Sequence, residues 1–232
     1  MPRFRLHHDI CSTPGWNKAV AELHPEFMDD LARAVGTMDF DDCFDKENLE
    51  AGKAGRTVLS PIKMNQHFKN ILYPRGYKEL KSKNFYPERT DDALRLRDIP
   101  HADRERFLCD NAIPYRQGSI EGDFHRRGVL LEVQFGKYPF VDWDIDKALE
   151  FRRRGLISAA CVLVPMPSTL SLMSSGPASW QTSMTMFYDK KLDRQGELPI
   201  ALVGVDLDLS GPLPTGVRRP KPSTANDQLM MF

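Results

Sequence analysis

The segment Val129-Leu-Leu-Glu-Val-Gln-Phe135 is apolar, partly β-branched and bounded by Gly128 and Gly136. This pattern predicts a buried strand. Glu132 and Gln134 interrupt it. Residues two apart on a strand share a face, so these two point one way and Val133 points the other. Asp123 stands nine positions before Glu132, on a segment from Ser119 to His125 that the turn His125-Arg-Arg-Gly128 folds back beside the strand. The two carboxylates then converge. An Asp and a Glu meeting at the end of a sheet, with no thiolate or His spacing nearby, form the hard oxygen site that Mg2+ prefers.

The rest of the chain supplies elements to surround that strand. Trp16, Val20, Leu23, Phe27, Leu31 and Val35 recur at helical spacing, and Pro25 ends or kinks the run, giving two helices. Asp39 to Glu50 is acidic and reads as a solvated loop or short helix. Ser60-Pro61 is a helix start, Ser as N-cap and Pro in the first turn. The helix that follows, Ile62 to Tyr73, offers Ile62, Phe68, Ile71 and Leu72 to a core. Tyr77 to Arg106 is densely charged, which predicts a surface segment or an arm along a phosphate backbone. Asp144 to Arg154 reads as a helix closed by Gly155, with Arg152-Arg-Arg154 either complementing its dipole or clamping phosphate. Ile157 to Val164 and Pro199 to Asp206 are strand-like, Pro165 to Ala178 a loop, and Ser179 to Leu192 helical. The order implies an α/β architecture, a mixed central sheet flanked by helices.

At 232 residues without a linker of obvious composition, one domain is expected. It divides into an N-terminal helical part (1–59), a core (60–210) and a Pro-rich basic tail (211–232). No apolar run reaches membrane-spanning length and no secretory segment opens the chain, so a cytoplasmic protein is expected. Cys11, Cys43, Cys109 and Cys161 form no CxxC pair, which suggests reduced thiols. His7-His8 beside Asp9 and Cys11 makes a poor metal cluster, since adjacent side chains on an extended segment point to opposite sides. Lys plus Arg equal Asp plus Glu at 32 each, which argues against non-specific nucleic-acid binding and leaves room for a local basic groove.

The string Asp123-x8-Glu132-Val-Gln134-Phe-x-x-Tyr138-Pro-Phe140 resembles the catalytic segment of the BglII-type restriction endonucleases, a branch of the PD-(D/E)xK nucleases with Gln where most members carry Lys. Ser60-Pro-x-x-x-Asn65-Gln-His-Phe-Lys69 with Leu72-Tyr-Pro, and Leu198-Pro-Ile-Ala-Leu-Val-Gly204, are similar to other parts of that family. The likeness covers roughly residues 50 to 210 and implies a restriction-endonuclease-like core.

By that resemblance Asp123, Glu132 and the Val133 carbonyl hold one or two Mg2+, and Gln134 orients the attacking water. A neutral amide takes no proton, so deprotonation falls to the cation's water or to a substrate phosphate oxygen. Asn111 and Glu121 are candidates for a further polar residue at the metal. Gly136 and Lys137 lie where the family meets bases. Arg152, Arg153, Arg154, Arg218 and Arg219 are candidates for the groove. The implied enzyme is a homodimer that cuts both strands of palindromic double-stranded DNA, with a cognate methyltransferase expected genetically and not as a bound partner. The rival readings are a repair or structure-specific nuclease of the same fold and a non-catalytic DNA-binding protein. Gln134→Glu is expected to keep some activity, because a polar water-orienting group remains.

Overall fold

The computed structural model describes residues 2–48, 55–137, 139–174, 176–190, 196 and 198–211. In chain order the elements are β1 (Arg3–Ser12), α1 (Trp16–Leu23), α2 (Phe27–Gly36), α3 (Phe40–Cys43), β2 (Lys46–Glu47), β3 (Thr57–Val58), α4 (Pro61–Leu72) and β4 (Lys78–Pro87). There follow α5 (Thr90–Arg97), α6 (Arg104–Asp110), β5 (Tyr115–Arg126), β6 (Val129–Val133), α7 (Pro139–Arg153), β7 (Ala159–Pro165), α8 (Pro167–Leu170), α9 (Trp180–Asp189) and β8 (Ile200–Asp208).

Six strands form one sheet in the order β1-β8-β7-β6-β5-β4. The inner pairs β6–β7 and β7–β8 are parallel, whereas β1–β8, β5–β6 and β4–β5 are antiparallel. The sheet is mixed and has helices on both faces, as the sequence predicted. Alternation along β7 divides the core: Ala159, Cys161 and Leu163 pack with α1, α2 and α4, and Ala160, Val162 and Val164 with α7 and α9. On β6, Leu131 and Val133 belong to the first cluster and Leu130 to the second. Glu132 therefore faces α7.

Local signals explain most helix boundaries. Ser60 caps α4, its hydroxyl accepting from the Lys63 amide, and Ser179 caps α9 in the same way. Pro25 falls between α1 and α2. Asp39 caps the short α3 within the acidic stretch. On α4 the buried stripe is Met64, Phe68 and Leu72, four apart, so Ile62 falls off it and is 80% exposed, contrary to expectation.

Other expectations need correction. Residues 3–12 form a strand of the main sheet, so the N-terminal part is not wholly helical. Within the charged segment, the ten-residue β4 pairs with β5, and α5 and α6 pack a small cluster of Leu96, Leu108 and Ile113. α7 begins at Pro139, earlier than expected, and α8 interrupts the segment read as loop. The bulge between Leu6 and Ile10 brings His7, His8 and Asp9 together, with each His Nε2 at 3.4 Å from Asp9 Oδ2, where plain alternation would separate them. All four cysteines are free. Among the described residues, no helix is long and apolar enough to cross a membrane.

A buried polar network ties α1 and α2 to the sheet. His24 Nε2 lies 2.9 Å from the Tyr77 hydroxyl, and Asp30 pairs with Arg75 and, at 3.3 Å, with Arg126 at the end of β5.

Candidate active site

The β5–β6 hairpin turns on Arg127-Gly128, both at positive φ (50° and 77°), the handedness a two-residue hairpin loop requires. Pairing runs Arg126↔Val129, His125↔Leu130, Phe124↔Leu131 and then stops. At that point the acids take over the amides. Asp123 N–H donates to Glu132 Oε2 at 3.3 Å, and Val133 N–H donates to Asp123 Oδ2 at 3.0 Å.

A bulge aims Asp123. Against β4, Lys78 pairs His125 and Leu80 pairs Gly122, so β5 carries one residue more than its partner between these points. Ile120 accordingly packs in the α7 cluster while Phe124 packs in the opposite one. An extra residue in a strand redirects the side chains beyond it. Gly122 makes room there, since a Cβ would lie 2.6 Å from Leu130 Cδ1 and 3.1 Å from Glu132 Oε1.

Helix α7 completes the site with two residues that the sequence reading did not select, Asp144 and Lys147. Lys147 Nζ lies 3.0 Å from Glu132 Oε2 and 2.9 Å from Asp144 Oδ1. Asp144 Oδ2 accepts from Gln134 Nε2 at 2.7 Å, and Gln134 Oε1 accepts from the Gly136 amide at 2.8 Å. Glu132, Gln134, Asp144 and Lys147 are all buried. Burial pushes the Glu132 carboxyl well above its ordinary range; Lys147 opposes that rise, and Asp123 and Asp144 add to it. Asp144 is raised for the same leading reason. Burial alone would lower Lys147, but Glu132 and Asp144 outweigh it and hold the ammonium above its usual value.

These residues fit a hard divalent cation. Glu132 and Asp144 share one ammonium, and Asp123, whose charge raises both, adds a third carboxylate, an excess of two negative charges that such a cation would balance. Glu132 Oε1 is buried and has no hydrogen-bond partner. Buried polar atoms are rarely left so. Oxygen donors without thiolate or imidazole suit Mg2+.

The other candidates fall elsewhere. Glu121 is exposed beside Ser119 and Lys81, and Asn111 ends α6 with its amide on Phe107 O, so neither joins the acids. Gly136 and Lys137 are exposed and follow Gln134 directly. A Cβ at Gly136 would lie 2.8 Å from Gln134 Oε1. Arg152 and Arg153 are exposed near the far end of α7, about 13 Å along the axis from Asp144 at 1.5 Å per residue. Arg154 is not placed as a phosphate clamp: its buried guanidinium holds Glu150, Ser82 and Asn84, joining α7 to β4. Arg218 and Arg219 lie outside the described residues.

A search of curated protein sequences finds no match. The fold is similar to the crystal structure of restriction endonuclease BglII complexed with a DNA 16-mer, with a TM-score of 0.60 and 21% identity over 88% of this chain and 78% of that one. Free BglII aligns with a TM-score of 0.48 and 18% identity, over 84% and 77% of the two chains. The family model for restriction endonuclease BglII/BglIII matches residues 14–205, most of the sheet and every element of the candidate site. The chain therefore belongs to the BglII/BglIII restriction endonuclease family and is a type II site-specific deoxyribonuclease.

Proposed function

We propose that this enzyme hydrolyses phosphodiester bonds in both strands of double-stranded DNA at a short palindromic site, as a Mg2+-dependent homodimer. The observation that carries the reading is the hairpin that joins Asp123 to Glu132 where the ladder ends, leaving one buried carboxylate oxygen without a partner. Asp123, Glu132 and the Val133 carbonyl would hold one or two cations. When bound, such a cation offsets charge on the scissile phosphate and the leaving oxygen, and acidifies the attacking water.

The chain's own residues supply orientation. Gln134, fixed by Asp144 and Gly136, keeps one N–H and one lone pair for water and cannot itself accept a proton at neutral pH. Gly136 and Lys137 stand next to that amide, where Lys137 can donate to guanine O6 and N7 in the major groove. Arg152 and Arg153, with Arg218 and Arg219 of the tail, are offered to backbone phosphate; zero net charge requires that such contacts be local. A palindrome read by a two-fold dimer places one active site on each strand.

The test is a digest of a sequenced phage genome with Mg2+, with fragment ends read out. Discrete fragments sharing one short self-complementary sequence are expected, and a DNA 16-mer carrying it should hold two protein chains in solution. Random nicking, or cutting confined to branched or mismatched DNA, would rule out this reading.

A further inference from the structure

We infer that Lys147 is a positioning residue of the active site: it pins Glu132 by one oxygen and, through Asp144, sets the amide of Gln134. The inference rests on the nuclease reading and adds to it an ammonium that the strand motif lacks. A buried lysine is uncommon and a buried ion pair seldom repays its desolvation, so one placed here calls for a local reason. That reason is visible in the contacts. Lys147 and the Asp123 amide both hold Glu132 Oε2, and the partnerless oxygen is Oε1. Fixing one oxygen fixes the direction of the other.

The second branch runs through Asp144. Its Oδ1 takes Lys147 and its Oδ2 takes Gln134 Nε2, so the Gln134 amide is left with Oε1 toward the Gly136 amide. The donor and acceptor order cannot be reversed without placing two donors together. Lys147 therefore holds in place the carboxylate that accepts from Gln134, although it does not touch Gln134.

A positioning lysine differs from a placeholder that merely occupies the cation's space in what its removal does. Removing a placeholder would strengthen cation binding, since the site loses a positive charge. Removing a positioning group weakens binding, because Glu132 is no longer held. Partners that orient metal ligands typically change affinity or activity by about 10- to 100-fold.

The experiment measures Ca2+ affinity of the enzyme–DNA complex by calorimetry and single-turnover cleavage with saturating Mg2+, for wild type, Lys147→Met, Lys147→Arg and Asp144→Asn. Cation-free DNA binding and thermal melts serve as controls of folding. Lys147→Met is expected to bind Ca2+ at least about tenfold more weakly and to cleave about 100-fold more slowly, with Lys147→Arg recovering part of both. Asp144→Asn is expected to cleave at least about tenfold more slowly, because Gln134 loses its acceptor. Unchanged or tighter Ca2+ binding in a folded Lys147→Met overturns the inference. Should that variant fail to fold, Asp144→Asn cleaving at the wild-type rate overturns it instead. A wild type that neither cuts nor binds Ca2+ would bring down the nuclease reading itself, a result distinct from either.

Discussion

Asp123 donates its peptide N–H to Glu132 Oε2 at 3.3 Å, so the backbone of one acid helps to hold the side chain of the other. Two carboxylates so joined should fail together as cation ligands and separately as hairpin supports. Asp123→Asn and Glu132→Gln keep the shape and most hydrogen bonds but remove one negative charge each. Each is expected to slow single-turnover cleavage by about a thousandfold or more, equivalent to about 4 kcal/mol at 1.36 kcal/mol per decade. Duplex binding without metal should persist, as measured by gel shift. Full cleavage in either variant would remove it from the site.

Gly122→Ala tests the packing beneath Glu132. Its Cβ would lie 2.6 Å from Leu130 Cδ1 and 3.1 Å from Glu132 Oε1, so the leucine must move and the carboxylate must give. Overpacking of this kind costs about 1–3 kcal/mol. Urea unfolding should show that loss, and cleavage should fall by more than stability does, because the displaced oxygen is the one available to a cation. An active, equally stable variant would show that Glu132 Oε1 is freely mobile.

Much of this arrangement was legible in the residues. Ser60-Pro61, Ser179 and Pro25 marked helix boundaries, and the apolar runs of β6, β7 and β8 marked the buried centre of the sheet. β1 and β4 were missed for one physical reason: they are the two edges. An edge strand faces solvent along much of its length and carries charge against further pairing, so Lys78-Glu-Leu-Lys-Ser-Lys83 reads as surface. Of the candidate site, half was legible. Asp123, Glu132 and Gln134 stood out because they flank or interrupt a strand, whereas Asp144-x-x-Lys147 resembles an ordinary exposed pair on a helix. A signal was present, since Asp144 falls three residues after Val141 and four before Ala148, on the stripe that α7 buries. The bulge at Asp123 left no comparable mark, because register comes from pairing with β4.

Protonation of one buried and two half-buried histidines should act against the fold in acid. Burial holds His24 below its ordinary value near 6.5, against the pull of Glu26 and Asp30, and His67 and His125 are lowered by burial as well. The unfolded chain takes protons below about 6.5 that the folded protein refuses. The contribution of these groups is thus full above that pH and is lost as pH falls from 6.5 toward the lower folded value, by at most about 1.4 kcal/mol per pH unit for each histidine. The raised carboxyls of Glu132 and Asp144 work in the opposite direction, so the histidine part is read as a difference: urea midpoints of His24→Gln should change less unfavourably from pH 7 to pH 5 than those of wild type. An identical slope in the variant would assign the effect to other groups.

Gln134→Glu was expected to keep some activity, but the contacts of the amide point the other way. Gln134 Nε2 donates to Asp144 Oδ2 at 2.7 Å, and a carboxylate in place of that amide sets two carboxylate oxygens against each other. At such a distance like charges repel by roughly several kcal/mol at an effective dielectric constant of about 20. Cleavage at neutral pH should therefore fall by about 100-fold. A second change supplies the check. Asp144→Asn in the same chain can accept from Lys147 through Oδ1 and donate to the introduced carboxylate through Nδ2, exchanging donor and acceptor across the contact while preserving its geometry. The double variant should cleave at least about tenfold faster than Gln134→Glu, although Asp144→Asn is harmful by itself. A double variant no faster than the single one would mean that the Asp144–Gln134 hydrogen bond does not set the amide, and the order of contacts from Lys147 to Gly136 would lose its middle link.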